Sequence, residues 1–126
     1  MKRHASLLPL SREHHTALSL ARHCERCAQS GDATLIDAAC RRAIDEFARH
    51  LDAHFQTEER TLLPLLQGAA TAPLVQRTLA EHRALHDCLD GLQHNDVGVL
   101  ARFGQCLAAH VRFEERELFP AIEDLL

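Results

Sequence analysis

The segment His54-Phe-Gln-Thr-Glu-Glu-Arg-Thr-Leu-Leu-Pro64 recurs as His110-Val-Arg-Phe-Glu-Glu-Arg-Glu-Leu-Phe-Pro120, at a constant offset of 56 residues. In both copies a histidine is followed four positions later by a glutamate, His54 by Glu58 and His110 by Glu114. Apolar residues around them recur every three or four positions, the period of one helical face. The two segments are therefore equivalent helices. A weaker match relates Glu13-His14 to Glu81-His82 at an offset of 68. The chain is expected to have approximate two-fold symmetry, with matching groups converging on its axis. Pro64 and Pro120 fall late in their helices, and each is expected to kink or end its helix.

Outward from these repeats, Gly and Pro cut the chain into four segments, all with helical rather than alternating periodicity. The first helix is expected to start near Ser11 as its cap and to end before Gly31. The second opens after Asp32 and runs toward Gly68, about 30 residues or about 45 Å. Pro73 opens the third, with Gly91 or Asn95 as its stop, and Asp96 opens the fourth. Short connections predict an all-α, antiparallel up-down-up-down four-helix bundle, formed as one domain over residues 1–126.

Composition narrows the function classes. Of the 126 residues 46% are apolar, which suffices for one sizeable core. Lys and Arg number 14 against 18 Asp and Glu, a net charge of -4 without long runs of one sign, so a nucleic-acid surface is not expected. No segment has the apolar length of a membrane span, and the start of the chain lacks the apolar run of a secretory signal. Five cysteines, an odd number at helical positions, argue against a disulfide framework and for a reducing, cytoplasmic setting. Cys24 and Cys27 form an isolated C-x-x-C and read as core residues. The unusual number is ten histidines, in a chain with neither Trp nor Tyr.

Several of those histidines fall on faces where a bundle ordinarily places leucine. His14, His54, Glu58, His82, His86, His110 and Glu114 all align with apolar neighbours. One unsatisfied buried polar group costs about 1–3 kcal/mol, so this many require compensation. A metal provides it, since it takes neutral imidazole and ionised carboxylate. His54 with Glu58, His82 with His86, and His110 with Glu114 are each one helical turn apart on one face. On the first helix His14 lies in line with Leu10, Ala17 and Ala21, whereas His15 lies in line with Arg12 and Ser19; His14 is preferred, and His15 is the alternative. Glu114 is preferred over Glu115 because the repeat aligns it with Glu58, and one or both of His82 and His86 bind. Glu59 with Arg60, and Glu115 with Arg116, read as charges at the rim, and His50 as solvent-facing.

With both glutamates bridging and one oxide or hydroxide between two six-coordinate metals, five imidazoles leave one coordination position open. That position suits a small ligand such as dioxygen, nitric oxide, peroxide or azide. An all-nitrogen and oxygen set at high coordination suits iron or manganese better than structural zinc, which favours a non-haem di-iron centre.

Through His14, His54-x-x-x-Glu58, His82-x-x-x-His86 and His110-x-x-x-Glu114, the chain resembles the hemerythrin-like (HHE cation-binding) family over almost its whole length. The resemblance implies a four-helix bundle holding two iron ions in an oxo- or hydroxo-bridged centre that binds dioxygen, or that senses oxygen, iron or nitric oxide. It departs from the oxygen carriers at the last helix, which offers Glu114 or Glu115 where they resemble His-x-x-x-x-Asp. The glutamate looks more like the bacterial HHE branch. The histidine-rich donor set points to a ligand-binding protein rather than an enzyme. An enzyme or stress protein acting on peroxide, nitric oxide or iron-centre repair is the alternative. A sensing role requires a separate signalling partner.

Overall fold

A computed structural model describes residues 3–126. Four helices follow the expected order. A short 3-10 turn, Ala5–Leu7, leads into α1 (Leu8–Gln29). Helix α2 is a continuous run over 33–65, built from Ala33–Glu46, a π turn Phe47–Leu51, Asp52–Thr57, a second π turn Glu58–Leu62 and a closing 3-10 turn Leu63–Leu65. After a short connection come α3 (Ala72–Gln93) and α4 over 97–123, the latter with a π turn at Glu114–Leu118 between Val97–Phe113 and Phe119–Glu123. Each helix packs against its sequence neighbours and α1 closes against α4, giving the antiparallel up-down-up-down bundle.

Local chemistry explains most of the boundaries. The Asp32 carboxylate accepts from the backbone N–H of Thr34 and Leu35, and Asp96 does the same for Gly98 and Val99, so both expected caps are present. Each stabilises its helix by about 1 kcal/mol. Gly31 at φ +67° and Asn95 at φ 55° turn the chain out of α1 and α3 through the left-handed region. Helix α1, however, starts three residues before Ser11. Pro9 occupies its first turn, where a missing N–H is harmless, and the Ser11 hydroxyl donates instead to Glu115 at 2.7 Å.

The two prolines of the repeat behave differently. Near Pro64 the helix tightens and stops by Leu66, as expected. Pro120 neither stops nor ends α4, which continues to Glu123. In the π turn just before it the Phe119 N–H pairs with the Glu114 carbonyl, five residues back, and the next carbonyl, of Glu115, accepts from the Arg3 guanidinium at 3.0 Å.

Gly104 sets the spacing of α1 and α4. A Cβ there falls 2.7 Å from the Ala21 carbonyl oxygen, so the two backbones approach as only glycine permits. The core divides into two apolar clusters, one around Leu20, Leu92, Leu100 and Phe103, the other around Leu7, Leu62, Phe119 and Ile122. Between them lies a buried polar layer.

Candidate metal centre

That layer is contributed by all four helices. His14 comes from α1, His54 and Glu58 from α2, His82 from α3, and His110 and Glu114 from α4; all are buried, the two glutamates completely. The repeat extends to the backbone, because both glutamates begin a π turn. A π turn adds a residue to the turn and swings the following side chains round the helix axis. The glutamate that opens each turn, Glu58 or Glu114, faces inward, and the next, Glu59 or Glu115, reaches sideways to another helix.

Every imidazole turns Nε2 toward the two central carboxylates. His14 lies 2.8 Å from Glu114, His54 3.1 Å from Glu58 and 3.7 Å from Glu114. His82 lies 3.0 Å from Glu58 and 3.8 Å from Glu114, and His110 3.1 Å from Glu114. Two four-donor groups result, His14, His54, Glu58, Glu114 and Glu58, His82, His110, Glu114, the donor atoms of each within 4.8 Å of one another. They share both glutamates.

Each Nδ1 faces a second carboxylate at the outside of the layer. His14 meets Glu115 at 2.7 Å, His54 meets Glu13 at 3.0 Å, His82 meets Glu59 at 2.7 Å and His110 meets Glu81 at 2.6 Å. Such contacts fix ring orientation and make the inner nitrogen the electron-pair donor. Glu59 and Glu115 are thus not idle rim charges, contrary to the sequence expectation. Their signal was in the sequence: Glu58-Glu59 matches Glu114-Glu115, and Glu13-His14 matches Glu81-His82. Phenylalanines hold the rings further, with Phe55 stacked on His82 at 4.1 Å and Phe119 on His14 at 5.2 Å.

Donor chemistry gives a direct test of whether cations fit. A neutral imidazole carries one N–H, yet each ring has carboxylate at both nitrogens. A proton or a metal must therefore sit on the inner side. Burial pushes His54 toward the neutral form, but hydrogen bonds to Glu114 and Glu58 prevail and hold it at about 11. Burial is likewise outweighed at His82, by Glu114 and Glu58, and at His110, mainly by Glu114, so both stand at about 9. Burial and the charge of Glu114 raise Glu58, whereas Glu114, despite its burial, is held well below the usual range by Glu58, His110 and His14. Without a metal, protons take up the positive charge this layer demands. The fit is incomplete even so, since His110 Nε2 and Glu114 Oε2 are buried without a hydrogen-bond partner. A metal cation held by His110 and Glu114 would satisfy both orphans.

Two of the expected donors stand apart. His15 is exposed on the outer side of α1, beside the preferred His14. His86 is also exposed, its ring at the edge of Phe47 (5.9 Å), because Leu85 takes the inward position one residue earlier on α3. The gathered set is four imidazoles rather than the expected five. A cavity of about 170 Å³ reaches this layer beside His14, His54 and His110. Its walls are largely apolar, with Ala17, Leu20, Leu51, Phe55, Leu107 and Val111, and the exposed Thr16 and His50 mark its outward side. Cys24, Cys27, Cys40 and Cys88 are buried in the apolar core, away from the layer. Among the described residues, no helix is long and apolar enough to cross a membrane.

Comparison with known proteins agrees with the geometry. The family described as the hemerythrin HHE cation-binding domain matches residues 9–123. No curated protein and no solved structure matches the chain. A match over nearly the whole sequence, carrying the four histidines and two glutamates that the bundle gathers, leads to one conclusion: the chain belongs to the hemerythrin HHE cation-binding domain family.

Proposed function

We propose that this chain is a non-haem di-iron protein that binds dioxygen, or a related small ligand such as nitric oxide, for oxygen binding, storage or sensing. The observation that carries the reading is that both four-donor groups share Glu58 and Glu114, which suits two adjacent cations rather than one. His14 and His54 would hold one iron and His82 and His110 the other, with the two glutamates between them. Nitrogen and carboxylate donors without thiolate favour iron over structural zinc. When bound, the iron pair supplies one-electron redox chemistry at each ion and a seat for a small ligand.

The chain's own residues supply the selectivity. Glu13, Glu59, Glu81 and Glu115 keep each ring oriented, so the inner nitrogens stay available as donors. Phe55, Leu107 and Val111 present an apolar wall to the cavity, which favours a small, weakly polar ligand next to the layer, while Glu13, Glu46 and His50 line it as well. With neither Tyr nor Trp in the chain to relay electrons, capture of a ligand is favoured over repeated turnover.

Anaerobic reconstitution with ferrous iron, followed by iron analysis and visible spectra before and after air, tests the proposal. Two irons per chain and an absorption that deoxygenation reverses support it. Iron at background level overturns it, and repeated turnover of peroxide or nitric oxide with added reductant moves the assignment to an enzyme.

A further inference from the structure

Two arginines outside the donor set repeat one arrangement. Arg77 on α3 donates through Nε to Glu81 at 2.8 Å and through Nη1 to Glu117 at 3.3 Å, and its guanidinium lies 4.1 Å from the centre of the Phe113 ring. Glu81 accepts from His110 Nδ1, and Phe113 flanks the same imidazole at 6.3 Å. At the other end of the layer, Arg3 donates through Nη2 to the side chain (3.2 Å) and carbonyl (3.0 Å) of Glu115 and through Nη1 to Glu123 at 2.6 Å. It lies 5.5 Å from the Phe119 ring centre. Glu115 accepts from His14 Nδ1, and Phe119 stacks on that ring.

The internal repeat does not generate this correspondence. The position equivalent to Arg77 by the 68-residue offset is Pro9, and Arg3 precedes the stretch that matches the family. Unrelated parts of the chain therefore arrive at the same contact: an arginine that donates one N–H to the carboxylate of the glutamate facing a layer histidine and another to a further glutamate, braced on the phenylalanine beside that histidine. Among the described residues Glu13 and Glu59, which face His54 and His82, have no arginine partner. Each four-donor group accordingly contains one braced imidazole and one unbraced.

We propose that Arg3 and Arg77 are positioning residues, one for each metal position, which lock the Glu115–His14 and Glu81–His110 pairs and thereby slow metal release from the side each braces. This rests on the metal-centre reading above. A guanidinium is suited to the role because its rigid plane can tie the orienting carboxylate to a second glutamate while its face packs on an aromatic ring. A carboxylate so held cannot swing into solvent, and the imidazole it orients keeps its inner lone pair on the shared glutamates. A surface ion pair without this connection stabilises by little and leaves the site untouched.

Two measurements on the full chain test it. In metal-free protein, NMR of the ring N–H protons should show His14 and His110 Nδ1–H exchanging with solvent more slowly than those of His54 and His82. Arg77→Met should bring His110 alone to the faster rate, Arg3→Met should do so for His14 alone, and Arg77→Lys should fall between. In the second measurement zinc(II), a redox-silent probe, is loaded and its release to a chelator followed. Loss of the orienting carboxylate itself typically costs 10–100-fold in affinity, so Arg77→Met, one bond further out, should speed release from one of the two positions by about three- to tenfold. Wild-type rates for both His110 and zinc, or equal acceleration at all four rings, overturn the proposal. Failure of wild-type protein to take up either zinc or ferrous iron overturns the metal-centre reading, while the ring-proton comparison still decides whether the arginines brace their histidines.

Discussion

Replacing Gly104 by alanine tests the packing that carries His14 to the centre. The new Cβ would lie 2.7 Å from the Ala21 carbonyl oxygen, 2.8 Å from Glu25 Cγ and 3.3 Å from the Glu25 backbone nitrogen. The Glu25 side chain can move away, but the carbonyl and the nitrogen belong to α1 itself. Helix α1 must therefore back away from α4 by several tenths of an ångström. Overpacking of this kind costs about 1–3 kcal/mol, and an alanine inside a helix returns about 1 kcal/mol through its better propensity. Taking the middle of the first range, the expected result is a net loss of about 1 kcal/mol, which for a chain of this size lowers the melting temperature by roughly 3–6 °C. Thermal and urea unfolding of metal-free protein measure it directly. Gly98→Ala is the control, because its Cβ meets only Asp96 Oδ1 at an ordinary 3.4 Å, and it should be neutral or slightly stabilising. Since α1 carries His14, Gly104→Ala should also weaken the His14/His54 position before the His82/His110 position. A Gly104→Ala protein as stable as its parent, or more stable, would refute the reasoning that backbone contact sets the α1–α4 spacing.

Three further outcomes follow from the site and the core. Glu58→Gln or Glu114→Gln keeps volume and removes a shared charge, so reconstituted protein should retain one metal or none, whereas Glu115→Gln should keep both at about 10–100-fold lower affinity; metal analysis after chelator titration separates these cases. His86→Ala and His15→Ala should leave the metal content at its wild-type value while His14→Ala loses metal, and a wild-type content in His14→Ala would show that the layer is not the binding site. Burial, with smaller contributions from Cys27 and Cys40, pushes the Cys24 thiol up to about 12. Because the thiolate is the reactive form, iodoacetamide at pH 8 should label the partly exposed Cys106 well before Cys24, as read by peptide mass spectrometry; equal labelling in folded protein would contradict the core assignment.

The sequence by itself determined the bundle and most of its centre, because both are periodic. Apolar residues at three- and four-residue spacing specify helices wherever they occur, and Asp32 and Asp96 cap theirs through contacts made within three residues. The duplicated histidine-to-glutamate spacing placed His54, Glu58, His110 and Glu114 on inward faces without knowledge of any neighbour. Periodicity could not decide what happens at the boundary of a face. His86 lies one turn from His82, but a turn of four residues overshoots by about 40°, at about 100° per residue. Leu85 takes the buried position and His86 faces out. Nor could local pattern show that consecutive glutamates face different partners, Glu58 and Glu114 toward the middle and Glu59 and Glu115 toward imidazoles on other helices, since those partners are set where the helices meet. The arginine braces lie furthest from sequence reading. Arg3 and Glu115 are separated by 112 residues, and only the closing of α1 against α4, at a distance Gly104 permits, brings them together.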